Sequence, residues 1–243
     1  MDNMTRYKRN LSPSGISMAF QEKLSKSKVL VMGAGGLGSG LIMSLASLGV
    51  GQIKIVDDGI IETENFNRQF IHKFSNLKRS KVISAKETVL EYNPDIKIEI
   101  DKIRIHDLNY MDAIEGYDII ADCFDNYESK FILNEIALRT KKTLIHASCS
   151  GFQGQVTTIV PEKTGCLCCI IKKPQVFKNE EKALLSPVLN VISSIQALEI
   201  LKVITGCSKP LFNKLLMYNA LENKFETVDY TKNPSCQECS RIH

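Results

Sequence analysis

Gly33-Ala34-Gly35-Gly36-Leu37-Gly38 satisfies G-x-G-x-x-G. Glycines at those positions permit a tight turn and let backbone N–H groups at a helix start approach a phosphate. Asp57 follows about 20 residues on, the distance at which an acid accepts hydrogen bonds from ribose hydroxyls. The ordinary alternative is a glycine turn with no ligand. The loop alone does not choose between a dinucleotide and ATP, but the residues after it do. Asn65, Arg68, Gln69 and Lys81 add two cations beyond the acid. A triphosphate needs several positive groups, and a nicotinamide dinucleotide seldom does. Asp122-Cys123-Phe124-Asp125-Asn126 then ends an apolar run. At the carboxyl edge of an open α/β sheet, Asp125 can hold Mg²⁺ against phosphate oxygens. Taken singly, Arg68 and Lys81 also read as surface charge and Asp125 as a helix N-cap.

Eight cysteines are unevenly spread. Cys166-x-x-Cys169 and Cys236-x-x-Cys239 form two pairs, and Cys123, Cys149 and Cys207 stand alone. Four thiolates suit tetrahedral Zn²⁺ with no open position, which makes a structural site. Disulfides or free buried thiols are the alternatives. Cys168 could replace Cys169, although the x-x spacing favours Cys169.

These residues need elements to hold them. Lys28–Met32 is a short apolar, β-branched run that reads as a buried parallel strand. Leu41, Ile42, Leu45, Ala46 and Leu48 recur at helical spacing up to Gly49, a C-terminal glycine. Strands are expected at 52–57, 96–100, 118–122 and 143–147, and helices at 78–92 and 127–139. Strand and helix alternate, so about the first 150 residues read as a doubly wound, mostly parallel Rossmann-like α/β sheet that forms the nucleotide-binding half. Beyond it come a strand at 154–160, a lysine-rich stretch at 171–182 and a long amphipathic helix at 186–204 closed by Gly206. Two antiparallel strands at 215–218 and 224–230 follow. This second part, about 151–243, reads as woven onto the same sheet: a single domain with a zinc-bound C-terminal part.

Composition excludes other classes. The 243 residues are 44% hydrophobic and 24% charged, near globular averages. That rules out a disordered, collagenous or coiled-coil chain. A net charge of +4, with scattered lysines, is too small to argue for nucleic acid. No stretch is expected to span a membrane. Met1–Asn10 has no apolar core, so no secretory signal is expected. Clustered thiols point to a reducing, cytoplasmic setting.

The order Arg6-Tyr7-Lys8-Arg9, GAGGLG, Asp57 with ENFNRQ, Lys81 and DCFDN continues with C-x-x-C, SPVLNVISSIQALEILKVITG and NPSCQEC. Over nearly its whole length the chain resembles the ThiF/MoeB/HesA family, bacterial relatives of ubiquitin-activating enzymes. The resemblance implies ATP-dependent adenylation of the C-terminal glycine of a ubiquitin-like sulfur-carrier protein ending in glycine-glycine. A sulfur donor such as a cysteine desulfurase would act alongside, in thiamine, molybdopterin or related sulfur biosynthesis. It implies that Gly33, Gly35, Gly36, Gly38 and Asp57 hold adenosine and phosphates. Asn65, Arg68, Gln69 and Lys81 would hold the triphosphate, and Asp125 beside Asn126 the Mg²⁺. Arg9 would reach the partner's ATP in a homodimer, and Cys166, Cys169, Cys236 and Cys239 would bind Zn²⁺. In one respect the chain departs from the pattern. Asn179 stands where many members carry a cysteine in the crossover loop, so a covalent carrier–enzyme intermediate is not expected from the motif. None of His72, His106, His146 and His243 has catalytic spacing. A nicotinamide-dependent oxidoreductase would leave Arg68, Lys81, Asp125 and the cysteine pairs unused. In a non-catalytic zinc-stabilised binding module the nucleotide motifs would be relics. The tRNA threonylcarbamoyladenosine dehydratases share the nucleotide half but lack the paired cysteines.

Overall fold

The computed structural model of the chain describes residues 3–11, 15–107, 110–174 and 183–240. The elements follow in order as α1 (Asn3–Arg6), α2 (Met18–Lys26), β1 (Lys28–Met32), α3 (Gly36–Leu48) and β2 (Gln52–Val56). Then come α4 (Lys81–Tyr92), β3 (Lys97–Asp101), α5 (Tyr110–Ile114), β4 (Ile119–Asp122) and α6 (Tyr127–Arg139). The chain continues through β5 (Thr143–Ser150), β6 (Gln153–Ile159), α7 (Leu167–Ile170), α8 (Ser186–Thr205), β7 (Lys214–Asn219) and β8 (Lys224–Asp229).

All eight strands join one sheet in the order β3-β2-β1-β4-β5-β6-β7-β8. The first five are parallel, and β6, β7 and β8 continue antiparallel. The second part of the chain is thus an extension of the first sheet, as its patterning implies. Strand order reverses between β1 and β4, and the carboxyl ends of those strands open the crevice where ligands bind in this architecture. The glycine loop leaves β1 there, and the Cys123–Asn126 turn leaves β4.

β1 is buried on both faces. Val29 and Val31 pack in one core with α3, α4 and α8, and Leu30 and Met32 in another with α6 and α7. This is why its sequence is a continuous apolar run with no alternation. α3 ends on Gly49 at φ +79, and α8 on Gly206 at φ +71, both left-handed.

Two boundaries differ from the sequence reading. The helix expected from Lys78 begins at Lys81, because Lys78 is left-handed at φ +66 and Ser80 is an extended N-cap. β5 runs on to Ser150, because β6 returns against it as a hairpin partner. By length and composition α8 is apolar enough to cross a membrane, and it is the single such helix among the described residues. It instead lies in the core, with Val188, Ile192 and Ile200 buried. Asn179 and most of the lysine-rich stretch lie outside the described residues.

Candidate functional site

A cavity opens at the sheet's switch point, lined by Gly33, Gly35, Gly36, Asp57, Arg68, Gln69, Lys81 and Asp125 among others. Eight expected ligand-binding residues therefore meet in one place. Gly33 sits at φ +109, and a Cβ there would lie 2.9 Å from the Cys123 carbonyl oxygen. A Cβ on Gly38 would lie 2.1 Å from the Gly33 carbonyl oxygen, so Gly38 serves helix–loop packing and not the ligand. At Gly35 such a Cβ would meet only Gln69 Nε2, at an ordinary contact distance of 3.8 Å, so the fold itself does not require glycine there. Gly35 caps α3 without a side-chain hydrogen bond, leaving the first-turn N–H groups for a ligand.

Asp57 does more than meet a ribose. One carboxylate oxygen accepts from Ala34 N at 2.7 Å, and the other from Gly59 N at 2.7 Å. It clamps the glycine loop before any ligand arrives. Arg68 donates through Nη1 to the Glu64 carbonyl at 2.9 Å and to Asn67 Oδ1 at 2.8 Å. Its Nε and the Oε1 of Gln69 are buried with no hydrogen-bond partner. Two unmatched polar atoms facing one cavity mark where a polar ligand belongs. The ammonium of Lys81, at the start of α4, makes no ion pair among the described residues. Asp125 is exposed and accepts from Asn126 Nδ2 at 3.3 Å.

Three expected site residues do not line this cavity. Asn65 is outside the cavity wall: its Oδ1 accepts from Glu62 N, and its carbonyl accepts from the N–H groups of Arg68 and Gln69. It builds the turn that presents those two side chains. Asn126 is the N-cap of α6, accepting from Ser129 N at 2.9 Å. The capping role open to Asp125 thus falls to its neighbour, and Asp125 remains available. Arg9 is exposed and far from the cavity of its own chain. Tyr7 packs on Gly49, at the end of α3 opposite the glycine loop. Thirteen helical residues put those ends about 20 Å apart.

Sequence spacing did not reveal the support beneath the cavity. Asp122, Lys130 and His146 are fully or almost fully buried together. Asp122 accepts from Lys130 Nζ at 3.1 Å, from His146 Nδ1 at 2.7 Å and from Phe124 N at 3.1 Å. Lys130 also donates to the Ala147 carbonyl at 2.6 Å. Burial alone would raise the Asp122 carboxyl, but the Lys130 charge and the His146 contact outweigh it and hold the pKa below its ordinary value. Burial keeps His146 below its ordinary pKa. The turn carrying Asp125 is therefore anchored by a buried ion pair. The alternation of charge and apolar residues in DCFDNYESK gives no hint of that pairing, because Lys130 and His146 come from different elements.

Cys149 borders both this cavity and a second, open groove of about 450 Å³ lined by Ser148, Ser150, Gln153, Gln155, Tyr218 and Asn219 among others. Burial pushes the Cys149 thiol up to about 12, so it rests protonated.

In the core that α6 and α7 share, the sulfurs of Cys166, Cys169, Cys236 and Cys239 all lie within 4.8 Å of one another. Individual separations are 4.0 Å (Cys166–Cys169), 3.7 Å (Cys166–Cys236) and 3.6 Å (Cys169–Cys239). Four sulfurs on a tetrahedron with bonds of about 2.3 Å stand roughly 3.8 Å apart. The donor set and its spacing fit Zn²⁺. Cys169, and not Cys168, belongs to the group.

The glycine loop, the two cations and the acidic turn at the switch point define an α/β protein built to hold a nucleotide. The ThiF family model matches residues 7–238. The chain belongs to the ThiF family. It is 32% identical over 239 residues to the SAMP-activating enzyme E1 of Haloferax volcanii, covering 97% of this chain and 88% of that one. It is 30% identical over 247 residues to the sulfur carrier protein adenylyltransferase of Thermus thermophilus, covering 98% and 91%. It spans only about half of the Zea mays adenylyltransferase and sulfurtransferase MOCS3-1 that it also matches (52%). Among solved structures, Escherichia coli MccB with ATP superposes with a TM-score of 0.87 at 26% identity, covering 98% of this chain and 74% of that one.

Proposed function

We propose that this chain is an adenylyltransferase that joins AMP to the C-terminal carboxylate of a ubiquitin-like sulfur-carrier protein and releases pyrophosphate. The observation that carries this reading is the cavity itself. Open helix N–H groups, two cations and one exposed carboxylate converge there, without a neighbouring general base. A terminal carboxylate has a reference pKa of about 3.3–3.7, so it attacks the α-phosphorus already ionised. Catalysis then reduces to orienting two anions and neutralising phosphate charge. Arg68, Lys81 and the N–H groups of α3 would hold the phosphates. Gln69 would supply its unmatched oxygen to the nucleotide. Asp125 is the residue fitted to hold Mg²⁺, which would screen charge between phosphate oxygens when bound. The adjoining polar groove would receive the carrier's C-terminal tail. Relatives named as a SAMP-activating enzyme and a sulfur carrier protein adenylyltransferase support the same partner class.

The four-cysteine cluster is proposed as a structural Zn²⁺ site. Eight free thiols accord with a cytoplasmic setting. The protein is further proposed to work as a homodimer in which Arg9 reaches the partner's nucleotide, since its own lies a helix length away. An apolar hollow lined by Met43, Leu48, Phe70 and Leu198, with Phe70 and Leu198 half exposed, suits the contact between copies.

The test is ATP–pyrophosphate exchange by the purified chain, with and without a carrier ending in glycine-glycine. Carrier-dependent exchange supports the proposal. Enhanced NADH fluorescence on mixing, without exchange, would instead favour an oxidoreductase. Neither signal would favour a binding module.

A further inference from the structure

The glycine loop is held from two sides, and only Asp57 among the holders belongs to a recognised motif. The second hold is His72, buried and bonded through both ring nitrogens. Its Nε2 lies 3.0 Å from the Ala34 carbonyl oxygen, and its Nδ1 lies 3.2 Å from Ser84 Oγ. Ser84 Oγ in turn accepts from Asn76 Nδ2 at 3.0 Å, and Asn76 Oδ1 accepts from Arg79 Nη1 at 2.7 Å. Arg79 is fixed by two bonds to Glu87, at 3.0 and 2.6 Å.

The direction of every bond in this chain follows from its ends. A guanidinium can only donate, so Asn76 must turn its oxygen to Arg79 and its NH₂ to Ser84. Ser84 then has its own proton left for His72 Nδ1. A carbonyl can only accept, so Nε2 must carry the ring proton and give it to Ala34. Both ends demand the same neutral tautomer. No link is left unmatched, and the imidazole is locked against flipping.

We infer that His72 is a positioning residue: the Glu87–Arg79–Asn76–Ser84–His72 chain aims the phosphate-binding N–H of Gly35. The Ala34–Gly35 peptide is trans, so its carbonyl and its N–H point in opposite directions. Drawing the Ala34 carbonyl toward His72 turns the Gly35 N–H away from the core and toward the cavity that Gly35 lines. On the preceding peptide, Asp57 draws the Ala34 N–H the other way. The two side chains together set the twist of a loop in which Gly33 and Gly35 flank Ala34 and which has little stiffness of its own. The inference rests on the proposed ATP site. It adds that ATP affinity depends on a hydrogen-bond donor at position 72, reached from α4 and the turn before it.

The experiment measures ATP dissociation constants with Mg²⁺, pyrophosphate-exchange kcat, carrier affinity and Tm for the full chain. The variants are His72→Leu, His72→Gln and Ser84→Ala. His72→Leu should bind ATP about tenfold more weakly with carrier affinity unchanged, the scale expected when one buried hydrogen bond and its alignment are lost. His72→Gln keeps an N–H donor and should recover most of the affinity. Ser84→Ala removes the hydroxyl that steadies Nδ1, loosens the ring and should weaken ATP by about threefold. A folded His72→Leu with wild-type ATP affinity overturns the inference, as does His72→Gln binding no better than His72→Leu. If His72→Leu does not fold, Ser84→Ala with unchanged ATP affinity overturns it. Wild-type protein that binds ATP but never exchanges pyrophosphate refutes the adenylation reading and leaves this inference to the binding data. Wild-type protein that binds no ATP refutes both.

Discussion

Asp125 has no structural duty, since Asn126 caps the helix that follows and Asp122 anchors the turn. Asp125→Ala should therefore leave Tm unchanged while carrier-dependent pyrophosphate exchange falls by about 10²–10³-fold, the usual effect of removing one charge stabiliser. Wild-type exchange by that variant would show that the metal is held elsewhere. Lys130 is the opposite case. Lys130→Met leaves the Asp122 carboxylate buried beside a neutral His146, and removing one partner of such a pair costs about 3–5 kcal/mol. Calorimetry should show a Tm lower by at least several degrees. The two buried histidines add a pH dependence. Burial lowers the pKa of His72, which faces Ala34, Lys81 and Asp57, and of His146, which faces Asp122 and Lys130. Below the ordinary value of 6.5 the unfolded chain takes up protons that the folded one refuses. Tm should fall as pH drops from about 7.5 to 5.5, and by less in His72→Gln. At this scale the ligand-facing residues were legible because their types and spacing carry chemistry directly. Their supports were not: His72 meets a carbonyl 38 positions away, and His146 meets a carboxylate 24 positions away.

At the scale of elements, the loop between β1 and α3 is tuned by close approach. Gly38→Ala would press a methyl against the Gly33 carbonyl, and overpacking of this kind costs about 1–3 kcal/mol. Both Tm and ATP affinity should drop in that variant. Gly35→Ala, whose methyl would meet only Gln69 Nε2 at 3.8 Å while lining the cavity, should cost affinity alone. Most strands and helices could be read from periodicity, since β1 is apolar throughout and α3 and α8 end on left-handed glycines. The misplaced start of α4 has a plain cause. Lys78, Arg79 and Ser80 are polar residues that a helix surface accepts, while Lys78 at φ +66 breaks the helix by backbone conformation, and no side-chain pattern records that. The family resemblance over ENFNRQ implies a ligand role for Asn65. Its own side chain closes the preceding turn, a local competition common for asparagine.

At the scale of the molecule, the thiol cluster joins positions 70 residues apart. Cys236→Ser should lower both the zinc content and Tm, and should affect adenylation mainly through folding. Well under one zinc per freshly reduced chain would sink the metal assignment. Assembly is tested by mixing two inactive variants, Arg9→Ala and Asp125→Ala. If Arg9 acts across a dimer, each heterodimer contains one intact site, and up to about half of wild-type activity per heterodimer should return. With no activity regained, the trans role fails. Of this scale, the single continuous sheet was readable from the lack of a linker and the change in strand texture.

The thiols have one more consequence. Because Cys166 meets Cys236, the stretch from Leu167 to Ser235 begins and ends at a single corner, yet it is no detachable appendage: α8 runs through the core, β7 pairs with β6, and Leu189 lines the nucleotide cavity. Exchanging it as a cassette would mean replacing a core helix and part of the cavity wall together. The exchange has one fitting condition. α8 lies against α3 so closely that a Cβ on Gly40 would come within 2.1 Å of Ser193 Oγ. An incoming cassette must bring a small residue to that contact, or the host must keep Gly40 and accept only helices that can nest against it.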